Sequence, residues 1–287
     1  MKLTHLKIPC TNGSVTLPTE AGYERQAEAL FEKWGADAIR DSDGTQLSPE
    51  LFALGHRVYS TICLVRADQE CAKRHPDMLP MKFLMSEPVT AGAATVEISP
   101  LAGFHPEKYK AAADRKALSY WEVIDRTTGD VHDSSKWTFN SDSGIVTVTH
   151  AAPFHVYTVS FLAWVIWDTT SMYNHLVNNW DRPHVVSVDP YHKAVWDELM
   201  QFYDRWLAEH PNTNVVRLTT LAYHFNLDVN VDGSDKFRDW TGCQETVSLK
   251  ALEDFEAEYG YRPRAEDFVD EGYYNAVSRV PSKRYLD

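Results

Sequence analysis

One amphipathic helix, closed by glycine and set between short β-prone runs, limits what this chain can fold into. Ala27, Leu30, Phe31 and Trp34 recur at i, i+3, i+4 and i+7, which predicts one apolar face of a helix over residues 22–34. Gly35 is placed to end that helix in the left-handed conformation. Val15–Pro18 precedes the helix and Asp37–Arg40 follows it, and Arg57–Val65, rich in β-formers, is a third strand. The order β, α, β, β predicts a parallel sheet with crossover connections.

From about residue 80 to 150 the pattern changes. Thr95–Ile98, Trp121–Ile124 and Gly144–Thr149 are short alternating runs, joined by the turn-rich segments Thr127–Asp130 and Asn140–Gly144. This predicts a small antiparallel β insertion. The near-continuous apolar run Tyr157–Trp167 is read as a return to the parallel sheet, as a strand buried on both faces. A helix is expected from near Ser171, with Met172, Leu176 and Trp180 as its stripe. Another is expected from Asp189-Pro190, with Val195, Leu199, Phe202 and Trp206 inward. Asn214–Thr220 is the next strand, and Ser248 caps a helix with Leu249, Leu252, Phe255 and Tyr259 inward, stopped by Gly260. About five core strands result, where an eight-stranded barrel needs eight. The pattern is that of an open sheet or of the front part of a longer chain.

Composition excludes several classes. A net charge of −13 with no basic stripe argues against a nucleic-acid backbone as partner. The four cysteines, Cys10, Cys63, Cys71 and Cys243, match no zinc or redox motif, and the histidines form no HxxxH pair, so no metal site is expected. No GxGxxG, P-loop or GxSxG sequence is present, which argues against dinucleotide enzymes, NTPases and serine hydrolases. The N-terminus has no long apolar run, and Phe161–Trp167 is too short to cross a bilayer, so a reducing, cytoplasmic location without membrane attachment is expected. The 9 Trp, 14 Tyr and 12 Phe residues fill cores in most proteins, and a few could serve as flat platforms for sugar rings.

Polar groups gather where strands end. The first strand ends at Thr19-Glu20, the second at Arg40, Asp41 and Asp43, the strand over 157–167 at Asp168-Thr169-Thr170 and then Asn174, and the last at Arg217, Thr219 and Thr220. In a parallel sheet these ends share one rim, where ligands bind. Arg40 is either a bidentate donor to hydroxyls or phosphate oxygens, or the partner of Asp41 or Asp43. Asn174 has the donor and acceptor that vicinal hydroxyls need, or caps its helix. Arg217, between Val216 and Leu218, requires a counter-charge that a ligand phosphate or a core carboxylate could supply. Cys243 either fills space or lines a site.

The block Trp34-Gly-Ala-Asp-Ala-Ile-Arg-Asp-Ser-Asp-Gly-Thr45, together with Met172–His175, Val215–Thr220 and Glu256–Tyr261, resembles the galacto-N-biose/lacto-N-biose phosphorylases, which are classed with the glycoside hydrolases. The resemblance runs along most of the chain. It implies an α/β fold of the (β/α)8 TIM-barrel type, incomplete over residues 1–287, with the antiparallel insertion at 80–150 inside it. It implies inverting phosphorolysis of a β-galactoside to α-galactose 1-phosphate and a free acceptor sugar. Inorganic phosphate is then the co-substrate, no other cofactor is used, and a homodimer is common. Arg40, Asn174 and Arg217 match the family's sugar-site residues, with Asp43 at the rim and Thr170 and Cys243 lining the same pocket. The family's general acid is an Asp on a later strand, and no counterpart is found in this sequence.

Two other readings stay open. A glycoside hydrolase on a similar barrel would need a carboxylate pair, for which Asp41, Asp43 and Asp168 are the candidates. A non-catalytic sugar-binding relative would lack the acid altogether.

Overall fold

The computed structural model describes residues 15–41, 45–219, 226–229, 236–239 and 246–268. In chain order the elements are β1 (Thr16–Pro18), α1 (Glu24–Trp34), β2 (Ala38–Arg40), α2 (Pro49–Ala53), β3 (Arg57–Ile62), α3 (Leu64–Ala67), α4 (Gln69–Arg74), β4 (Met81–Met85), β5 (Val89–Thr90), β6 (Thr95–Ile98), β7 (Tyr109–Ala111), α5 (Arg115–Leu118), β8 (Glu122–Asp125) and β9 (Asp130–Val131). They continue with β10 (Trp137–Asn140), β11 (Ile145–Thr149), β12 (Val156–Val165), α6 (Thr169–Asn178), α7 (Lys193–Glu209), β13 (Val215–Leu218), β14 (Asn226–Val229), β15 (Lys236–Asp239) and α8 (Leu249–Tyr259). The chain divides into two compact units, Met1–Ala67 with Met200–Leu221, and Asp68–Leu199 with Ala222–Asp287.

The first unit is built on a parallel sheet of order β1-β2-β3-β13. Its register pairs Leu17 with Ile39 and Ile39 with Val58, so these three point to one face. There they pack with Ala27 and Phe31 of α1 and Leu51 of α2. Gly35 adopts φ 62° and donates its N–H to the Phe31 carbonyl, the left-handed stop the sequence predicts. Ser48 caps α2 by accepting the Leu51 N–H. The α1 stripe is narrower than expected: Ala27 and Phe31 are buried, while Trp34 in the last turn is exposed.

The second unit is antiparallel and β-rich. A six-stranded sheet centres on β12, which pairs with β4, β5, β7 and β8, and β9 pairs with β8. A second sheet has the order β10-β11-β6. Tyr157, Val159, Phe161, Ala163 and Val165 share one face of β12 and pack with Trp121, Val123, Val146 and Val148. Leu162, on the opposite face, packs with Met81, Ala117, Tyr120 and Leu252. The strand expected to rejoin the parallel sheet is therefore antiparallel to all its neighbours. A continuous apolar run reports burial on both faces, which this strand has, but carries no information about strand direction.

Two helix ends also differ from expectation. Asp189-Pro190 does not begin a helix; Asp189 Oδ1 accepts the Tyr191 N–H at 2.9 Å in a turn, and α7 starts at Lys193. On α8, Leu252 is buried but Tyr259 is exposed. Among the described residues, no helix is long and apolar enough to cross a membrane.

Candidate functional site

The parallel sheet presents two arginines on its second face. Arg40 is in register with Tyr59, and Arg217 with Thr61. Tyr59 and Thr61 are two residues apart on β3, so all four side chains leave the same side of the sheet, opposite Leu17, Ile39 and Val58. Arg40 is half-buried, and its Nε is buried with no hydrogen-bond partner among the described residues. Burial, and then the neighbouring Arg217 charge, lower the Arg40 pKa, and Asp41 offsets this only in part. Two neighbouring guanidinium groups with no carboxylate of the described residues bonded to Arg40 form a site for an anion or for a group of hydroxyls.

Strand β13 is held in register by its own N-terminal end. Asn214 Oδ1 accepts the Val58 N–H at 2.8 Å, and the Asn214 N–H donates to the Val58 carbonyl at 2.9 Å. Thr213 and Ser60 share a hydroxyl–hydroxyl bond of 2.7 Å. Beyond the strand, the Thr219 N–H reaches the Ile62 carbonyl at 2.9 Å. These contacts bracket Arg217.

Asp41 does not pair with Arg40. Its Oδ1 accepts the Thr61 N–H at 2.5 Å, and its carbonyl accepts the Thr61 hydroxyl at 3.0 Å. Burial raises its pKa, against the opposing pull of the Thr61 and Ser60 hydrogen bonds and of His210. This carboxylate fastens the end of β2 to β3. A separate cleft of about 350 Å³ lies beside β1 and α1, lined by Leu17, Thr19, Glu20, Tyr23, Gln26 and Thr45 among others.

In the second unit, Asp168 caps α6. Its carbonyl accepts the Met172 N–H at 2.8 Å, its Oδ1 the Ser171 N–H at 3.3 Å, and its Oδ2 the Ser187 hydroxyl at 2.8 Å. Asn174 sits inside α6 rather than at a cap, and its Oδ1 accepts from Asn178 Nδ2 at 2.7 Å. Immediately before Asp168, Trp167 is stacked on His184 with ring centroids 3.7 Å apart, and His175 meets both rings edge-on. No local sequence pattern marks this aromatic cluster.

The sequence-predicted residues fall in both units. Arg40 and Arg217 share a sheet face in the first unit, and Asn174 lies on α6 in the second. Thr170 is in α6, described by its backbone alone. Asp43 and Cys243 lie outside the described residues. Asp41 and Asp168, two candidates for a hydrolytic carboxylate pair, are both engaged in holding local structure.

One donor cluster escaped the sequence reading. Cys71, His75 and Glu198 place a thiol, an imidazole nitrogen and a carboxylate oxygen within 4.8 Å of one another. Hydrogen bonds from His75 and Arg74 hold the Glu198 pKa down at about 2, while burial and then Glu198 push the Cys71 thiol up to about 11. The signal was the Cys71-X3-His75 spacing, which puts both side chains on one helical face.

The chain is similar to known proteins along almost its whole length. The family model of the lacto-N-biose phosphorylase N-terminal TIM barrel domain matches residues 13–287. The chain is 45% identical over 278 residues to a 1,3-beta-galactosyl-N-acetylhexosamine phosphorylase of Bifidobacterium longum, covering 96% of this chain and 37% of that protein. It is 41% identical to a D-galactosyl-beta-1->4-L-rhamnose phosphorylase of Lachnoclostridium phytofermentans, covering 96% of this chain and 39% of that protein. It is 39% identical to a second phosphorylase of that organism, also named for 1,3-beta-galactosyl-N-acetylhexosamine, with 96% and 38% covered. The chain thus spans less than two-fifths of the length of these curated relatives. By a match that runs almost its full length, this chain belongs to the family of lacto-N-biose phosphorylase N-terminal TIM barrel domains.

Proposed function

We propose that this chain supplies the barrel portion of an inverting phosphorylase that cleaves a β-galactoside with inorganic phosphate. The observation that carries the reading is the Arg40–Arg217 pair, in which a half-buried guanidinium has an Nε without a partner among the described residues and a like charge beside it. Such a pair suits an incoming phosphate dianion or the hydroxyls of the galactosyl ring. Asn174, Thr170, Asp43 and Cys243 are proposed as further substrate-binding residues, on the strength of the family motifs.

In the reaction, a phosphate oxygen attacks the anomeric carbon on the face opposite the acceptor sugar. The bond to the acceptor oxygen breaks, and that oxygen takes a proton from a carboxylic acid. The products are α-galactose 1-phosphate and the free acceptor. No protein nucleophile is needed. Inorganic phosphate is a co-substrate, and no resident cofactor is proposed. The work of these residues is to position two reactants and to stabilise negative charge. The acid is not assigned to any residue here. A cytoplasmic location and a homodimer complete the proposal, which includes neither a nucleic-acid nor a membrane partner.

The test is to incubate galactosyl-β-1,3-N-acetylglucosamine with the protein, with and without phosphate, and to measure galactose 1-phosphate and free galactose. Phosphate-dependent galactose 1-phosphate supports the proposal, whereas phosphate-independent galactose would make the protein a hydrolase. Binding of α-galactose 1-phosphate without turnover would favour the second reading, a sugar-binding chain that lacks the acid. Neither binding nor turnover would overturn both.

A further inference from the structure

We propose that Cys71, His75 and Glu198 form a binding site for one divalent transition-metal ion of the zinc type. The site shares no residue with the Arg40–Arg217 pair and does not depend on the phosphorylase reading. Cys71 lies on α4, and His75, one turn later, ends that helix, so helical spacing alone sets thiol and imidazole side by side. Glu198 approaches from α7. All three donor atoms lie within 4.8 Å of one another. Cys71 is fully buried and unoxidised, and His75 and Glu198 are half-buried.

The donor set selects the ion. A thiolate, an imidazole and a carboxylate together suit zinc and its neighbours; magnesium and calcium require oxygen shells. Ligand bonds of roughly 2.0–2.3 Å are usual for such donors. His75 Nε2 and Glu198 Oε1 already face each other at 2.7 Å, so an ion entering there exchanges one hydrogen bond for two coordinate bonds. The Cys71 thiol gives its proton to solvent and coordinates as thiolate. Thiolate and carboxylate together neutralise the two charges of the ion, and a water completes the tetrahedron.

The surroundings orient the ligands. Arg74 donates to Glu198 Oε2 through Nη2 at 2.5 Å and Nε at 3.1 Å, which fixes the carboxylate and leaves Oε1 turned toward His75. Asp68 accepts the Cys71 N–H at 3.1 Å and lies 3.8 Å from Arg74, which holds the first turn of α4 in place. The Arg74 charge opposes the ion, so the site is weaker than one with a neutral orienting group. Bound metal would clasp α4 to the start of α7.

The experiment is a cobalt(II) titration of the metal-stripped chain, with zinc competition. The expected result is uptake of one equivalent, with a thiolate-to-cobalt charge-transfer band in the near ultraviolet. Cys71→Ser should abolish the band, and Cys63→Ser should keep it. His75→Gln and Glu198→Gln should each weaken binding by at least roughly tenfold, judged by the usual effect of disturbing a metal's ligand shell. Arg74→Gln should strengthen it. X-ray absorption at the zinc edge of the unsubstituted chain needs no variant to fold, and should read one sulfur with nitrogen and oxygen neighbours. No saturable uptake, a shell of nitrogen and oxygen only, or a band that survives Cys71→Ser would each overturn the proposal.

Discussion

Arg40 and Arg217 leave the same face of one parallel sheet on the two strands that flank β3, and no carboxylate of the described residues pairs with Arg40. A fold optimised for stability alone would not retain this arrangement, because a buried unpaired donor and a neighbouring like charge both cost free energy. Replacing Arg40 by methionine keeps the apolar stem and removes both costs. Arg40→Met is expected to stabilise the chain by about 0.5–2 kcal/mol, read from the urea midpoint at unchanged m-value. Destabilisation by more than about 1 kcal/mol would mean that Arg40 holds structure and is not kept for a ligand.

Asp41 gives a pH dependence of known sign. Its pKa is raised in the folded state, foremost by burial, so the folded chain holds this proton more tightly than the unfolded chain. Its contribution to stability is therefore largest below the unfolded carboxylate pKa and declines as pH rises toward the folded value. Asp41→Asn keeps an oxygen acceptor for the Thr61 N–H and should remove that decline, while Asp41→Ala should cost about 1–3 kcal/mol by orphaning the N–H. Urea titrations from pH 4 to 8 on the three proteins compare the slopes; an unchanged slope in Asp41→Asn contradicts the assignment.

Asn214 positions Arg217 from three residues away. Its side chain accepts the Val58 N–H and its own N–H meets the Val58 carbonyl, so it fixes the entry of β13 beside β3. Asn214→Ala is expected to cost about 1–3 kcal/mol and to weaken anion binding without removing any charge. Asn214→Asp, which retains the acceptor, should recover most of both. Anion affinity that is unaffected by Asn214→Ala would disconnect this residue from the arginine pair.

The antiparallel unit depends on β12. Phe161 is fully buried and packs against Trp121 with ring centroids 5.4 Å apart. Phe161→Ala should cost about 3–5 kcal/mol, and the near-ultraviolet signal of Trp121 should change with it. A loss below about 1 kcal/mol would mean that this face of β12 does not carry the core of the unit.

Local chemistry made the first unit legible in the sequence. The stripe ending at Gly35, the short strand ending at Arg40 and the β-branched run from Arg57 each state their conformation within a few residues. Long-range pairing was not legible. Nothing within Tyr157–Trp167 says that its neighbours run antiparallel, because both kinds of buried strand require apolar residues on both faces. The site divides in the same way. Arg40 and Arg217 were visible as charges at strand ends, but that they share a face follows from the register through Tyr59 and Thr61. Asp41 looked equally functional and is a structural acceptor, since its partner Thr61 lies on another strand. The Asn174–Asn178 bond was readable as an i, i+4 pair, whereas Glu198 could join Cys71 and His75 only through packing.

The most direct test of the central claim is calorimetric titration of α-galactose 1-phosphate into this chain, beside Arg40→Met and Arg217→Met. The account predicts saturable binding by the unsubstituted chain, and a loss of roughly tenfold or more in affinity for each variant, as expected when a charge-assisted hydrogen bond worth about 1.5–3 kcal/mol is removed. Binding of equal strength in all three would contradict it, because the arginine pair would then have no ligand to serve.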